Sequence, residues 1–263
     1  MKFSTFLFLW FVGWLGFGCQ APPAVQTSAS SEISRLKITD LAPLQQSTVQ
    51  VQCAFAVLVW RIPSEKMQDL PRCLPMLSSK GITVSEPSAF ESNGLWAAAG
   101  SYDQAPAVLS ALEQIGAKRL GTKKLLIFQD YPEEITGFPV EAGQTLFYFG
   151  TDKIPAGKQV PSGRLSLMLR ARPDNPQRGF ASVRIEPVFQ PAVSGYGGIA
   201  ASFFESLSFR EGRVLATMTE GDMLVLASPK PEETSVFSRF FSAPSSKEPG
   251  MLLFLIVCQK TGE

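Results

Sequence analysis

Apolar and polar positions follow two rhythms along this chain. Over residues 48–61 they alternate, with Val49, Val51, Cys53, Phe55, Val57 and Val59 on one side. The other side carries Gln50 and Gln52, then Ala54, Ala56, Leu58 and Trp60. A two-residue period rich in β-branched side chains specifies a strand, and this one becomes buried on both faces along its length. From Pro63 the spacing changes to three and four: Met67, Leu70, Leu74 and Leu77 form a helical stripe that Pro71 and Pro75 kink or break. Gly81 ends it, and residues 82–84 form a short strand. Ser88 and Glu91 have capping-box spacing for a helical turn. Asn93 and Gly94 make a turn before a strand over 95–99. Asp103 caps a second helix that tolerates Pro106 in its first turn, buries Val108, Ala111, Leu112 and Ile115, and stops at Gly116. Residues 123–128 are a strand. The order βαββαβ predicts a two-layer sandwich, with helices on one face of a sheet.

From Gln144 onward the helical period disappears. Strands are expected over 145–149, 164–172, 180–187, 206–209, 213–219, 222–227 and 251–258. In the second of these Leu165, Leu167, Leu169 and Ala171 point in, while Arg164, Ser166, Arg170 and Arg172 point out. In the third Ala181, Val183 and Ile185 point in, opposite Ser182, Arg184 and Glu186. Glu211-Gly212 and Glu220-Gly221 read as hairpin turns. The last strand is almost continuously apolar, as a central strand must be. The fold class is therefore α+β: an αβ domain over 45–135, then an antiparallel β-sandwich or partly closed barrel over 136–263. There is no internal repeat.

The first eighteen residues obey neither rhythm. Lys2 gives a positive start, and residues 3–17 are an uncharged, mostly apolar run of 15, shorter than the ~20 residues a membrane-spanning helix needs. Gly16, Phe17, Gly18 and Cys19 follow the pattern of a cleavage site. Cys19 in this setting resembles the lipobox of bacterial lipoproteins, with Gly18 in place, although Gly16 and Phe17 depart from the family's usual residues. The resemblance implies cleavage before Cys19, a diacylglycerol on its thiol and anchorage in the cell envelope. Gln20 in place of Asp favours an outer membrane, with the body facing the periplasm. The same run also fits an uncleaved anchor, or a signal cut at an alanine beyond Cys19. Residues 1–18 are then the signal and 19–44 a lipidated tether, Pro-, Ser- and Ala-rich over 21–31.

Composition narrows the chemistry. The 263 residues are 45% hydrophobic and 18% charged, enough for a real core. Lys and Arg total 24 against 23 Asp and Glu; removing residues 1–18 leaves 23 of each, which argues against a nucleic-acid partner. There is no histidine, so His-based triads and His-ligated metals are excluded. Cys53, Cys73 and Cys258 have no metal-site spacing; Cys53 and Cys258 read as core thiols, with a disulfide between two of the three as the alternative. Ser34 and Lys37 have the spacing of a dyad but lie beside the tether. Glu133-Glu134 and Glu232-Glu233 read as solvated loops, and residues 195–198 lack the Lys of a phosphate loop. No catalytic residue, cofactor or metal ligand is expected, and the chain reads as a non-enzyme. Phe203, Phe204, Phe237, Phe240 and Phe241 form aromatic clusters that suit a partner interface or a membrane contact, or else plug the sandwich ends.

Ser182 to Pro187, the segment Leu215 to Leu226 with its acidic-Gly turn, and the apolar run 252–257 together resemble the C-terminal domain of bacterial secretins. The resemblance spans about residues 180–258. It departs at Ala227, Ser228 and Pro229, where the family has a Gly-Gly-Leu. It implies a secretin-like fold, and a β half of this length leaves no room for membrane-spanning hairpins. The expected function is a non-catalytic envelope lipoprotein. It would act as a structural or assembly module with an envelope partner or with copies of itself. The alternative is a lipoprotein holding an apolar small ligand in its β half.

Overall fold

The computed structural model describes residues 53–128, 131–175, 179–192, 206–231, 235–243 and 250–261. They fall in one compact unit, Thr48–Glu263. Cys19, Phe203, Phe204, Ser34, Lys37, Glu232, Glu233 and residues 195–198 lie outside the described residues.

The class is α+β, built mainly on antiparallel sheets of which none closes into a barrel. β1 (Cys53–Pro63) runs between β13 (Gly250–Thr261) and β4 (Lys118–Ile127), antiparallel to both. β12 (Met223–Ala227) pairs with the far side of β13, and β3 (Trp96–Gly100) with the far side of β12. The five-stranded order is thus β3-β12-β13-β1-β4. The second sheet follows the order β2-β11-β9-β8-β5, from β2 (Ile82–Val84), β11 (Val214–Met218), β9 (Phe180–Pro191), β8 (Gly163–Asn175) and β5 (Glu133–Val140). β10 (Leu207–Ser208) pairs with β9. β6 (Thr145–Phe149) and β7 (Pro155–Gln159) form a separate hairpin.

These orders correct the expected division at 135/136. Both sheets take strands from either side of it, and among β1 to β4 only β1 and β4 are neighbours. The cause is β13. From Met251 to Ile256 every side chain is buried, so the strand needs partners on both edges and cover on both faces. It finds them by inserting between β1 and β12.

Helices cross the five-stranded sheet. Pro71 cannot continue a helix, so the stripe from Pro63 splits into α1 (Ser64–Met67) and α2 (Leu70–Cys73), with Pro71 in the first turn of α2. Leu74, before Pro75, leaves the helical region at φ −116°, ψ 52°. α3 (Pro87–Ser92) fills the turn between β2 and β3. α4 (Ala105–Gln114) joins β3 at one edge of the sheet to β4 at the other and buries Val108 and Leu112. Its cap is not Asp103. Ser101 and Gln104 form a capping box around a 3-10 turn, and Gln104 also donates to the Met76 carbonyl at 2.7 Å.

Glu220 and Gly221 do form a turn, with Gly221 at φ +88°, and the Asp222 carboxylate accepts bonds from the Thr219 N–H and hydroxyl, both at 2.7 Å. The strands it links lie in different sheets, so the turn carries the chain from one layer to the other and closes no hairpin. Glu211 and Gly212 lie in a 3-10 turn, Arg210–Gly212.

Candidate functional site

The aromatic candidates that the structure describes are packing groups. Phe237, Phe240 and Phe241 are 0%, 3% and 4% exposed, which fits the plug and not the interface among the readings their sequence allowed. α5 (Ser238–Phe241) carries the last two into the gap between the sheets. Phe241 stacks on Phe254 of β13, Phe240 on Phe138 of β5, and Phe237 meets Phe209 edge-on at 5.8 Å between centroids. Arg239, on the same turn, lies 4.3 Å above the Phe138 ring as a cation–π contact. The turn is thus a plug, and the apolar space left beside it measures about 10 Å³. A small-molecule site needs on the order of 300–1,000 Å³. Cys53 and Cys258 are buried as expected, and all three described cysteines carry thiols.

A polar cluster holds the same end together from inside. Asn93 is 0% exposed. Its amide donates to the carbonyls of Ala89 (2.7 Å) and Phe149 (2.9 Å), and its oxygen accepts from the Phe149 N–H (3.0 Å) and the Ser235 hydroxyl (2.7 Å). Phe149 needs this help because its N–H and C=O face away from β7: the hairpin's bonds at Gln144–Val160 and Gly150–Ile154 fall on alternate residues, and Phe149 lies between them. One side chain thereby ties α3, β6 and the approach to α5.

The charged groups gather on the face of the six-stranded sheet turned away from the core. Alternation on β8 and β9 puts Leu165, Leu167, Leu169, Ala181, Val183 and Ile185 inside. It therefore puts Arg164, Arg170, Arg172 and Arg184 outside, joined there by Arg213. Five arginines share this face with Glu134, Glu186 and, at the end of β8, Asp174.

Two of the arginines are matched. Arg164 holds Glu134 with Nε and a terminal nitrogen, both at 2.7 Å, and the Ser166 hydroxyl donates to the same carboxylate at 2.6 Å. Those bonds, Arg164 first, hold the Glu134 carboxyl down at about 2 against the opposing pull of burial. Glu133 and Glu134 are thus strand residues of β5, not a solvated loop, and Glu134 is ion-paired. Gly137 makes room: a Cβ there would stand 2.7 Å from Ser166 Oγ and 2.9 Å from Glu134 Oε2. At the centre of the face Glu186, 4% exposed, accepts from Arg213 Nε (2.7 Å) and the Ser208 hydroxyl (2.8 Å). Arg170, Arg172 and Arg184 have no such partner: Arg184 Nε comes within only 3.5 Å of Glu186 Oε1.

Sequence reasoning placed these arginines on the outer face but, counting charge over the whole chain, saw no basic surface. The signal lay in the alternation, which sorts the arginines of β8 and β9 onto one side. The lysines are sorted differently. Lys118, Lys123 and Lys124, with Arg119, stand exposed on β4, an edge strand whose charges discourage pairing with another chain. Searches of protein-family models, curated proteins and solved structures returned no match to this chain.

Proposed function

We propose that this chain is an exported lipoprotein, anchored through Cys19, whose folded body is a non-catalytic structural or assembly module of a cell-envelope complex. The use made of buried polar groups supports the second half. Asn93, Ser166, Glu186, Ser228, Ser235 and Ser238 are the buried polar residues among those described, and each is hydrogen-bonded to protein. Ser228 donates to the Gly94 carbonyl at 3.0 Å, and Ser238 to that of Ser235 at 2.7 Å. These groups fix β-layers and turns to one another, as a scaffold requires. The charged edge of β4 favours recognition through a sheet face over strand addition.

The anchor rests on the sequence around Cys19 and has a direct test. In cells fed labelled fatty acid, the wild-type protein takes up label and Cys19→Ser does not. Equal labelling of both, or of neither, overturns the anchor. A diacylglycerol with further acyl chains holds a protein stably, at about 0.8 kcal/mol per buried CH₂.

A further inference from the structure

Arg170 of β8 and Arg184 of β9 stand directly opposite one another. Opposed residues have Cβ atoms about 5 Å apart, where like charges repel. The sheet offers little relief. Glu186 gives Oε2 to Arg213 and Ser208, leaving Oε1 at 3.5 Å from Arg184 Nε, a charge contact without a hydrogen bond. The Nε atoms of Arg170 and Arg184 are both buried with no hydrogen-bond partner. Arg172, two residues along the same face, is exposed, and no ion pair joins it or Arg170 to Asp174 or any other described carboxylate. Ser182 lies opposite Arg172, and Thr217 opposite Ser182, so two hydroxyls border the patch.

A buried N–H without an acceptor is costly, and here two lie side by side on partly exposed guanidiniums. Every cation of β8 and β9 is Arg, whereas the edge strand β4 carries mainly Lys. Lys suffices to repel a neighbouring strand. Arg adds a planar fork of donors that matches an oxyanion. A carboxylate has two acceptor oxygens in one plane; a tetrahedral phosphate presents more oxygens in several directions and suits three guanidiniums drawn from two strands.

We infer that Arg170, Arg172 and Arg184 form a binding site for a phosphate-class oxyanion, supplied either by a phospholipid headgroup or by a free phosphate. The anion lies over the opposed guanidiniums, accepts from their solvent-facing terminal N–H groups and cancels their repulsion. The inference does not depend on lipidation at Cys19.

The full chain, ¹⁵N-labelled at arginine and held in a nonionic detergent, is titrated with three solutes while the arginine Nε–H signals are followed. The solutes are sodium phosphate, dihexanoyl-phosphatidylglycerol below its micelle concentration, and sodium chloride at matched ionic strength. The signals of Arg170 and Arg184 move saturably with at least one phosphate source and not with chloride. Tighter binding of the lipid assigns the headgroup, and tighter binding of phosphate the free anion. Arg170→Gln and Arg184→Gln each weaken binding at least tenfold, the scale on which losing a charge-assisted bond of ~1.5 kcal/mol or more is felt. Arg164→Gln, outside the patch, binds as wild type. Amide spectra of each variant report its folding, and wild-type saturation stands as a measurement of its own. No saturable movement in wild type, equal movement with chloride, or unchanged binding by folded Arg170→Gln and Arg184→Gln overturns the site.

Discussion

Replacing Asn93 by Ala removes four side-chain hydrogen bonds from a position with no water access. The Ala89 carbonyl keeps a partner in the backbone N–H of residue 93, at 2.9 Å. Phe149 does not: both its N–H and its C=O, which face away from β7, lose their acceptor and donor. The Ser235 hydroxyl loses its acceptor as well. Three orphaned groups at about 1–3 kcal/mol each, reduced where Phe149 is half-buried and water can enter, give a loss of about 3–5 kcal/mol. Against a total stability of about 5–15 kcal/mol this is severe, and in a body of this size it lowers Tm by on the order of 10 °C. Urea unfolding followed by the fluorescence of Trp60 and Trp96 measures it. Asn93→Asp keeps the acceptors but turns a carboxylate toward two carbonyls, so it fares no better than Ala. An Asn93→Ala midpoint within 1 kcal/mol of wild type at unchanged slope refutes the reasoning that this side chain ties the layers.

Three further outcomes follow from the packing and the charges. Phe237→Ala costs about 3–5 kcal/mol in thermal unfolding because it empties a fully buried site; a loss under 1 kcal/mol would mean that the ring does not plug the sheets. Glu134 titrates near 2 by carboxyl NMR, and in Arg164→Gln it moves up toward 4.5. Because its folded pKa is depressed, its contribution is full above the unfolded value near 4.5 and is lost as pH falls through 2; Arg164 is half-exposed, so the difference between wild type and Arg164→Gln is about 1 kcal/mol at pH 7 and disappears only below pH 2. Gly137→Ala pushes a methyl against the Glu134–Ser166 bond and raises the same carboxyl's pKa; an unmoved titration there contradicts the tight fit.

Most individual strands were legible because their periods are clean. β6 and β11 to β13 appear within a few residues of where alternation placed them, and the helical stripes of α2 and α4 bury the expected Leu70, Val108 and Leu112. β5 and β7 were missed because Gly137, Pro139, Pro155 and Gly157 punctuate them like loops. β5 is an edge strand and β7 half of a two-stranded hairpin, and such strands tolerate residues that a central strand cannot. The interleaving of the two halves was not legible. Alternation says that a strand has a buried face but not which strand covers it, and local periodicity is blind to a pairing such as Ile62 with Met251. The aromatic turn stayed open between interface and plug for a related reason: an apolar cluster in a loop reads the same whether it faces solvent or a cleft between sheets. The arginine face was half legible, in direction but not in consequence, since Arg170 and Arg184 become neighbours only once β8 and β9 pair.

The central claim is that the folded body works as a component of an assembly, and the mass of the particle it forms tests that most directly. The full-length protein, extracted from its own cells in mild detergent and weighed by native mass spectrometry, should appear in a particle of fixed stoichiometry. That particle contains several copies of the chain or one defined envelope partner. A uniform population of single chains, with lipid alone attached, would contradict the account.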